Sequence, residues 1–545
     1  MRSRAIVVMA VLSAALITGG GLVQSGIAGG PVPVQGARLF EQVMTRVARE
    51  YVDTVSVQGL YRKAVDGMLL QLHDPHTVYL SEERLNRLNE STSGNYGGLG
   101  IQMDVRDGWI TIIAPLPGSP AERAGIQTAD RIVEVNGRST RGWTQDEATK
   151  ALRGNPGSTV KLVVERPGVE KRIPFELSRR RIHARAVQRV AMLRPGVGYL
   201  DVNIFSDSTA GEVTQGVDSL VRSGARSLVL DLRGNPGGLL DQGVSVSDLF
   251  LDANQEIVSM RGRTDDANRT FTDKSPQRWP KLSLVVLVDG ASASAAEIVA
   301  GALQDHDRAV LVGDLTYGKG SAQTVFPVAP SGALKLTTAL WYTPVGRSIN
   351  KRPRAGADDE DDATEPAADS VPRGERERFR TDGGRTVYGG GAITPDLTVR
   401  DTLTPAAALA LQQTLGDQLP KFRDALTDFA LSLKGSRSVT SPDFTVTPAM
   451  REELYRRTTQ RGVTVPAAAF ETHAAVVDRL LANEIARYVF GLDAEFLRSS
   501  RDDRVVAEAL ALLAGEPPRA ELLRRATERQ KQLDRAPARD SSTAR

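Results

Sequence analysis

The chain has 545 residues, 41% of them hydrophobic and 25% charged, with a net charge of +3 at neutral pH. That length exceeds one ordinary domain and supplies apolar material for more than one core; the slight positive charge, with no basic stripe interleaved with aromatics, argues against nucleic acid as a partner. Cysteine is absent, which excludes disulfides, thiolate metal sites and a cysteine nucleophile, and the five histidines (His73, His76, His183, His306, His473) include no helical i, i+4 pair of the kind zinc uses, so a zinc hydrolase is not expected; with no P-loop or Rossmann fingerprint after any strand, no cofactor is expected either.

Arg2 and Arg4 precede an apolar run over residues 6–17 and then a glycine-rich stretch, the order of an export signal. Residues 1–30 are therefore read as a signal peptide or, as the alternative, an N-terminal anchor in the inner membrane. Thr18 and the glycines from Gly19 cut the apolar run short of a full span. The expectation is export to the periplasm or cell envelope. Residues 38–92 carry apolar positions at three- and four-residue spacing and predict helices, broken by the proline of "HDPHTVYL" (residues 73–80). Residues 93–180 turn to short strands punctuated by Gly and Pro. Over 181–350 and 385–402 strands and helices alternate, which predicts an α/β core with a largely parallel sheet.

Residues 351–384 differ: an acidic cluster, prolines, mixed charge and almost nothing apolar predict a disordered insertion. A helical C-terminal extension is expected over 403–532 and a disordered tail over 533–545.

Three stretches carry the chemistry. In "DGASASAAEIVAGALQD" (residues 289–305) a β-branched strand ends, small residues and two hydroxyls follow, and a helix begins near Ser294. On this stretch alone an N-capping serine is the commoner explanation; a nucleophile at a helix N-terminus is the other, with N–H groups at hand for an oxyanion. In "LDLRGNPGG" (residues 230–238) glycine N–H groups can serve as half of an oxyanion hole, or merely make a tight strand-to-helix turn. In "GDLTYGKGSAQ" (residues 313–323) Lys319 stands between glycines just after a strand. A serine nucleophile needs a base, and the nearest histidine, His306, lies twelve residues along the same helix, ~18 Å away. A lysine can act instead where burial disfavours its ammonium form.

Upstream, "YGGLGI" (residues 96–101), "PGSPAERAGI", "ADRIVEVNGRS" and "ALRGNPGSTVKLVVER" follow in the order glycine loop, strand, short helix, strand-turn, strand. This segment resembles a PDZ domain. Gly98, Leu99 and Gly100 can form a backbone nest for a C-terminal carboxylate while the peptide adds as a strand. Thr128–Ala129–Asp130 departs from the Gly-Asp pair usual at that turn.

Together the PDZ segment, the "LRGNPGG" turn, Ser294 and Lys319, with "YTPVGRSIN" and "GAITPD" downstream, resemble the carboxyl-terminal processing (tail-specific) protease family over about residues 38–400. The resemblance implies an α/β protease core, a mixed sheet with helices of crotonase-like kind, behind a PDZ β-domain and an N-terminal helical segment. It implies Ser294 as nucleophile, Lys319 as general base and Gln323 as the residue orienting the lysine. The oxyanion donors would be the N–H of Ala295 and that of Gly237 or Gly238, with Glu297 and Asp305 in support. Arg153 matches an arginine that links the PDZ domain to the core in some members. Ala296 stands where a serine is frequent. The implied partners are protein substrates with free, apolar C-termini; membrane attachment through the N-terminus and a homo-oligomer are left open. The alternatives are a catalytically inactive PDZ scaffold that binds tails, and a Ser–His hydrolase using His306.

Overall fold

In the computed structural model the described residues are 34–167, 169–328, 332–351, 376–399 and 403–535. The leader over residues 1–30, most of the acidic insertion and residues 536–545 lie outside them. The chain forms two compact units, one of residues 34–81 with Thr324–Leu336 and one of Glu82–Gln323 with residues 337–535.

In the first unit the helices Val34–Glu50 and Val57–Leu70 pack as a pair, and Ser56 caps the second by accepting the Gly59 N–H at 3.0 Å. Asp74 then closes the turn around Pro75, taking the His76 N–H (3.0 Å) and the Thr77 hydroxyl (2.6 Å). The strand Val78–Leu80 pairs antiparallel with residues 333–335.

The second unit begins with the helix Glu82–Ser93 and the PDZ segment. Here five strands lie in the order Ile101–Arg106, Trp109–Pro115, Arg131–Val135, Thr159–Glu165, Ile173–Ser178, so Ile101–Arg106 is an edge strand. The helix Gln145–Leu152 packs beside that edge, its first turn fixed by a reciprocal Thr144–Glu147 capping box. Asn95–Gly98 pairs with Arg180–His183 and closes the segment's two ends.

The protease core is a six-stranded sheet: Val190–Arg194, Val197–Asp201, Ser227–Asp231, Ser283–Val288, Val310–Gly313 and Leu397–Thr398, side by side in that order. The first pair is antiparallel and all others are parallel, which agrees with the α/β expectation. Ser283–Val288 is buried throughout, and a strand covered on both faces can be a continuous β-branched run. One face carries the helices Thr209–Arg222, Leu240–Asp248 and Ala295–Asp305. Gly243 lets two of them approach closely: a Cβ there would meet the Ala295 Cβ at 3.2 Å.

Two expectations are corrected. The opposite sheet face is covered by Val505, Val506, Ala509 and Leu512 of the helix Arg504–Leu512 and by Leu522 and Ala526 of Arg519–Arg535. The last helices of the supposed extension thus complete the core, because a parallel sheet cannot leave one apolar face in water. Likewise residues 376–384, assigned to the disordered insertion, form the hairpin Arg378–Arg380 with Thr386–Tyr388, tied down by Asp382 N–H to the Asp305 carbonyl (2.9 Å) and by an ion pair between Arg385 and Asp307. The remaining C-terminal helices, from Leu403 to Ser499, bury a separate apolar core around Phe422, Leu454, Phe470 and Ile485. The Ala129 methyl joins that core with its residue at φ 74°, a conformation that favours glycine. The PDZ departure at this turn is therefore a packing contact with the helical region.

Candidate active site

Ser294 follows the carboxyl end of Ser283–Val288 and precedes the helix Ala295–Asp305. Its backbone sits at φ 55°, ψ −115°, outside the extended region that a capping serine adopts. Such a conformation costs about 1–3 kcal/mol and persists only where the surroundings impose it. The neighbouring Ser292 is fully buried and its hydroxyl is engaged, donating to the Leu232 carbonyl (2.8 Å) and accepting the Asp289 N–H (2.9 Å). Of the two hydroxyls, Ser292 holds the turn and Ser294 is presented at its apex.

Glu297 explains how this strained turn is held. Its side chain is completely buried, and one oxygen accepts the N–H groups of Ser294 (2.8 Å) and Lys319 (2.9 Å). The other accepts the Gly318 N–H (2.7 Å) and the Thr316 hydroxyl (2.5 Å). Burial pushes this carboxyl above its usual range, while the four donors pull it back. The three N–H groups can only donate, so the ionised carboxylate is the form that satisfies them. Tyr317 adds a second clip, its N–H reaching the Ser292 carbonyl at 3.0 Å. Serine turn and lysine loop are thus one assembly.

Lys319 is half-buried between the buried Gly318 and Gly320. Both glycines are required by close approach: a Cβ at Gly318 would meet the Lys351 side chain at 2.7 Å, and one at Gly320 the Asn350 backbone at 2.8 Å. Gln323, four residues beyond the lysine in the strand Ser321–Pro327, donates to the hydroxyls of Ser321 (2.9 Å) and Thr337 (3.2 Å).

The Gly234–Gly238 turn lies against the serine. A Cβ at Gly237 would come within 2.7 Å of the Ser294 Cβ and 3.0 Å of the Ala295 nitrogen. Asn235, fully buried and not singled out from the sequence, locks this turn: its carbonyl takes the Ala293 N–H (2.9 Å), its Nδ2 donates to the Val202 carbonyl (2.6 Å), and its Oδ1 accepts the Gly237 N–H (2.8 Å). That last bond bears on the choice between the two glycines: the Gly237 N–H is engaged, whereas Gly238 is exposed.

Asp305 lies at the far end of the serine helix, where its side chain and that of Arg347 form an ion pair with no exposure to solvent. It anchors the 343–350 loop, whose Asn350 in turn accepts the Gly320 N–H at 3.2 Å. His306 engages both ring nitrogens there, with Asp382 and the Glu256 carbonyl at 2.7 Å each, and so has no part in a Ser–His pair. Among the described residues no cluster of metal-ligating side chains occurs.

In the PDZ segment Leu99 and Gly100 are anchored through their carbonyls, which accept the N–H groups of Ala121 (3.1 Å) and Leu116 (2.8 Å). Their own N–H groups donate to nothing among the described residues, an arrangement suited to a carboxylate. Arg153 stacks on the Tyr96 ring at 4.4 Å and pairs with Glu90 of the helix Glu82–Ser93 at 3.0 Å. Its side chain lies close to Gly98, about one van der Waals contact from where a Cβ there would stand.

Residues 196–358 match the peptidase family S41 profile and residues 88–165 the PDZ domain profile. The carboxy-terminal-processing protease of Bartonella bacilliformis is 40% identical over 314 residues, covering 57% of this chain and 71% of that protein. The carboxy-terminal processing protease CtpA of Bacillus subtilis is 36% identical over 315 residues, covering 58% and 66%. A solved photosystem II D1 C-terminal processing protease is similar over 70% of this chain and 97% of its own, at 26% identity and a TM-score of 0.36. The identity to the Bartonella protein over most of that relative's length, with the two domain profiles in the same order, shows that this chain belongs to the carboxy-terminal-processing serine proteases of peptidase family S41.

Proposed function

We propose that this peptidase is exported, takes the free C-terminal tail of a protein substrate on its PDZ domain, and cuts peptide bonds with Ser294 as nucleophile and Lys319 as general base. The observation that carries the reading is the buried Glu297 carboxylate, which binds the backbones of both residues through one oxygen. An export signal at residues 1–30 supports residence in the periplasm or cell envelope; among the described residues no helix is long and apolar enough to cross a membrane.

The tail carboxylate would accept the Leu99 and Gly100 N–H groups, and the tail would add to the edge strand Ile101–Arg106. In acylation Ser294 Oγ attacks the scissile carbonyl carbon while its proton passes to the neutral Lys319 amine. The carbonyl π pair moves to oxygen, and the oxyanion takes the N–H groups of Ala295 and Gly238. Collapse restores the C=O, breaks the C–N bond, and the Lys319 ammonium returns its proton to the leaving amine. In deacylation Lys319 takes a proton from water as that water attacks the ester. The second tetrahedral intermediate expels Ser294 Oγ, which recovers its proton from Lys319, and the new carboxyl terminus departs.

A fluorophosphonate probe tests the reading. It should label the wild-type protein at Ser294, as mapped by peptide mass spectrometry, and leave Ser294→Ala unlabelled. A wild-type chain that takes no label would favour a tail-binding scaffold instead.

A further inference from the structure

The helices Arg504–Leu512 and Arg519–Arg535 do more than cover the sheet. Several of their polar contacts lie where the parallel strands begin: Arg226 with Glu516 (3.0 Å), Ser283 Oγ to the Pro517 carbonyl (2.6 Å), Arg194 to the Leu510 carbonyl (2.5 Å). Asp503 is placed at the other edge, where the strands end and the serine and glycine turns start. One of its oxygens caps the helix, accepting the N–H groups of Val505 (2.9 Å) and Val506 (3.1 Å). The other accepts Nη1 of Arg233 at 2.8 Å.

Arg233 is the last residue before the Gly234–Gly238 turn. Its guanidinium is gripped from the opposite side by Asp231, through Nη2 at 2.6 Å and Nε at 2.9 Å. Asp231 also accepts the Arg233 N–H (2.9 Å) and the buried Tyr199 hydroxyl (2.8 Å). The start of the turn is therefore clamped between a carboxylate of its own strand and one that arrives 270 residues later in the chain.

We propose that Asp503 is a positioning residue for peptide-bond cleavage, holding Arg233 and through it the turn that presents the Gly238 N–H to the oxyanion. This rests on the reading of Gly238 and Ala295 as the oxyanion donors. It makes the C-terminal helices part of the catalytic unit as well as of the core.

The two tasks of Asp503 can be separated. Asparagine caps a helix as well as aspartate does, but its amide places a donor where the guanidinium needs an acceptor. Asp503→Asn should keep the melting temperature of wild type while lowering kcat about tenfold, less than loss of a whole oxyanion donor, at nearly unchanged KM. Affinity for a peptide aldehyde, which forms a tetrahedral adduct with the serine, should fall by the same factor. Asp503→Ser, which also caps without the charge, should behave alike, and Arg233→Lys should lower kcat similarly with no further loss when combined with Asp503→Asn. Capped variants with wild-type kcat and aldehyde affinity would overturn the proposal. So would a loss of activity that follows only a fall in melting temperature. A wild-type protein that forms no aldehyde adduct at Ser294 would instead refute the Ser–Lys reading, a result distinct from both.

Discussion

The Glu297 carboxylate accepts the backbone N–H of Lys319 at 2.9 Å, across 22 residues of sequence, from a position with no solvent exposure. The same oxygen holds Ser294, so the registry of the two proposed catalytic residues is set by a third. Replacing Glu297 by Gln keeps the shape but exchanges one acceptor oxygen for an N–H₂ that faces N–H donors. Peptide hydrolysis should fall at least about a hundredfold, with a stability loss of about 1–3 kcal/mol from the donors left unsatisfied. A Glu297→Gln variant with wild-type turnover in a peptide cleavage assay would remove Glu297 from this role.

The glycine at position 237 is needed for space and conformation alike. At φ 94°, with the Ser294 Cβ only 2.7 Å from where a Cβ would stand, Gly237→Ala should displace the serine turn. Kinetics of a purified variant should show kcat reduced at least about tenfold. Turnover within twofold of wild type would mean that the turn lies less tightly against the serine.

Tail recognition should depend on charge. Full-length Ser294→Ala protein should bind a peptide with an apolar free C-terminus about tenfold more tightly than its C-terminal amide, because charge-assisted hydrogen bonds are roughly twice as strong as neutral ones. Fluorescence anisotropy would measure both, and equal binding would exclude the nest at Gly98, Leu99 and Gly100. Arg153→Ala should reduce cleavage of a tail-bearing protein more than it weakens this binding. Its half-exposed pair with Glu90 adds little to stability, under about 1 kcal/mol.

Asp424 gives the helical region a pH dependence. Burial pushes its carboxyl up to about 6, with Asp107 adding to the shift and Arg461 and Arg106 opposing it. The folded state thus holds this proton more tightly than the unfolded chain, whose carboxyl titrates near 3.8. The stabilisation is complete below that value and is lost as pH rises through 6. Asp424→Asn should therefore raise the melting temperature at pH 7.5, by an amount worth about 1–2 kcal/mol, and change it little at pH 4. Destabilisation at pH 7.5 would contradict the direction of the shift.

Much of this architecture is local and was legible. The β-branched run at 283–288 forms the strand expected of it, and the small residues around Ser294 and Gly237 mark two turns that approach closely. What could not be read depends on partners distant in sequence. Nothing in "LRGNPGG" announces that Asn235 occupies the Gly237 N–H, because that bond exists only once the asparagine is buried within the turn. Arg233 finds Asp503 only once the C-terminal helices reach the sheet. The Ala129 methyl shows its reason only against the helical core that covers it. Residues 376–384 hold Phe379 as their one large apolar side chain, but charged anchors such as Arg385 with Asp307 order them without a core of their own.

The central claim is that Lys319 is the base for Ser294, and Lys319→Arg tests it most directly. Arginine keeps the positive charge and much of the length, but its guanidinium stays protonated and cannot accept the serine proton. Turnover of an unfolded protein substrate by Lys319→Arg, measured beside Ser294→Ala and Lys319→Ala, should fall for all three to a common floor at least about a thousandfold below wild type, since nucleophile and base act as a unit. Tail-peptide binding and melting temperature should remain near wild type. Turnover by Lys319→Arg well above the Ser294→Ala floor would contradict the account, because a side chain that cannot take the proton would then have served as well as lysine.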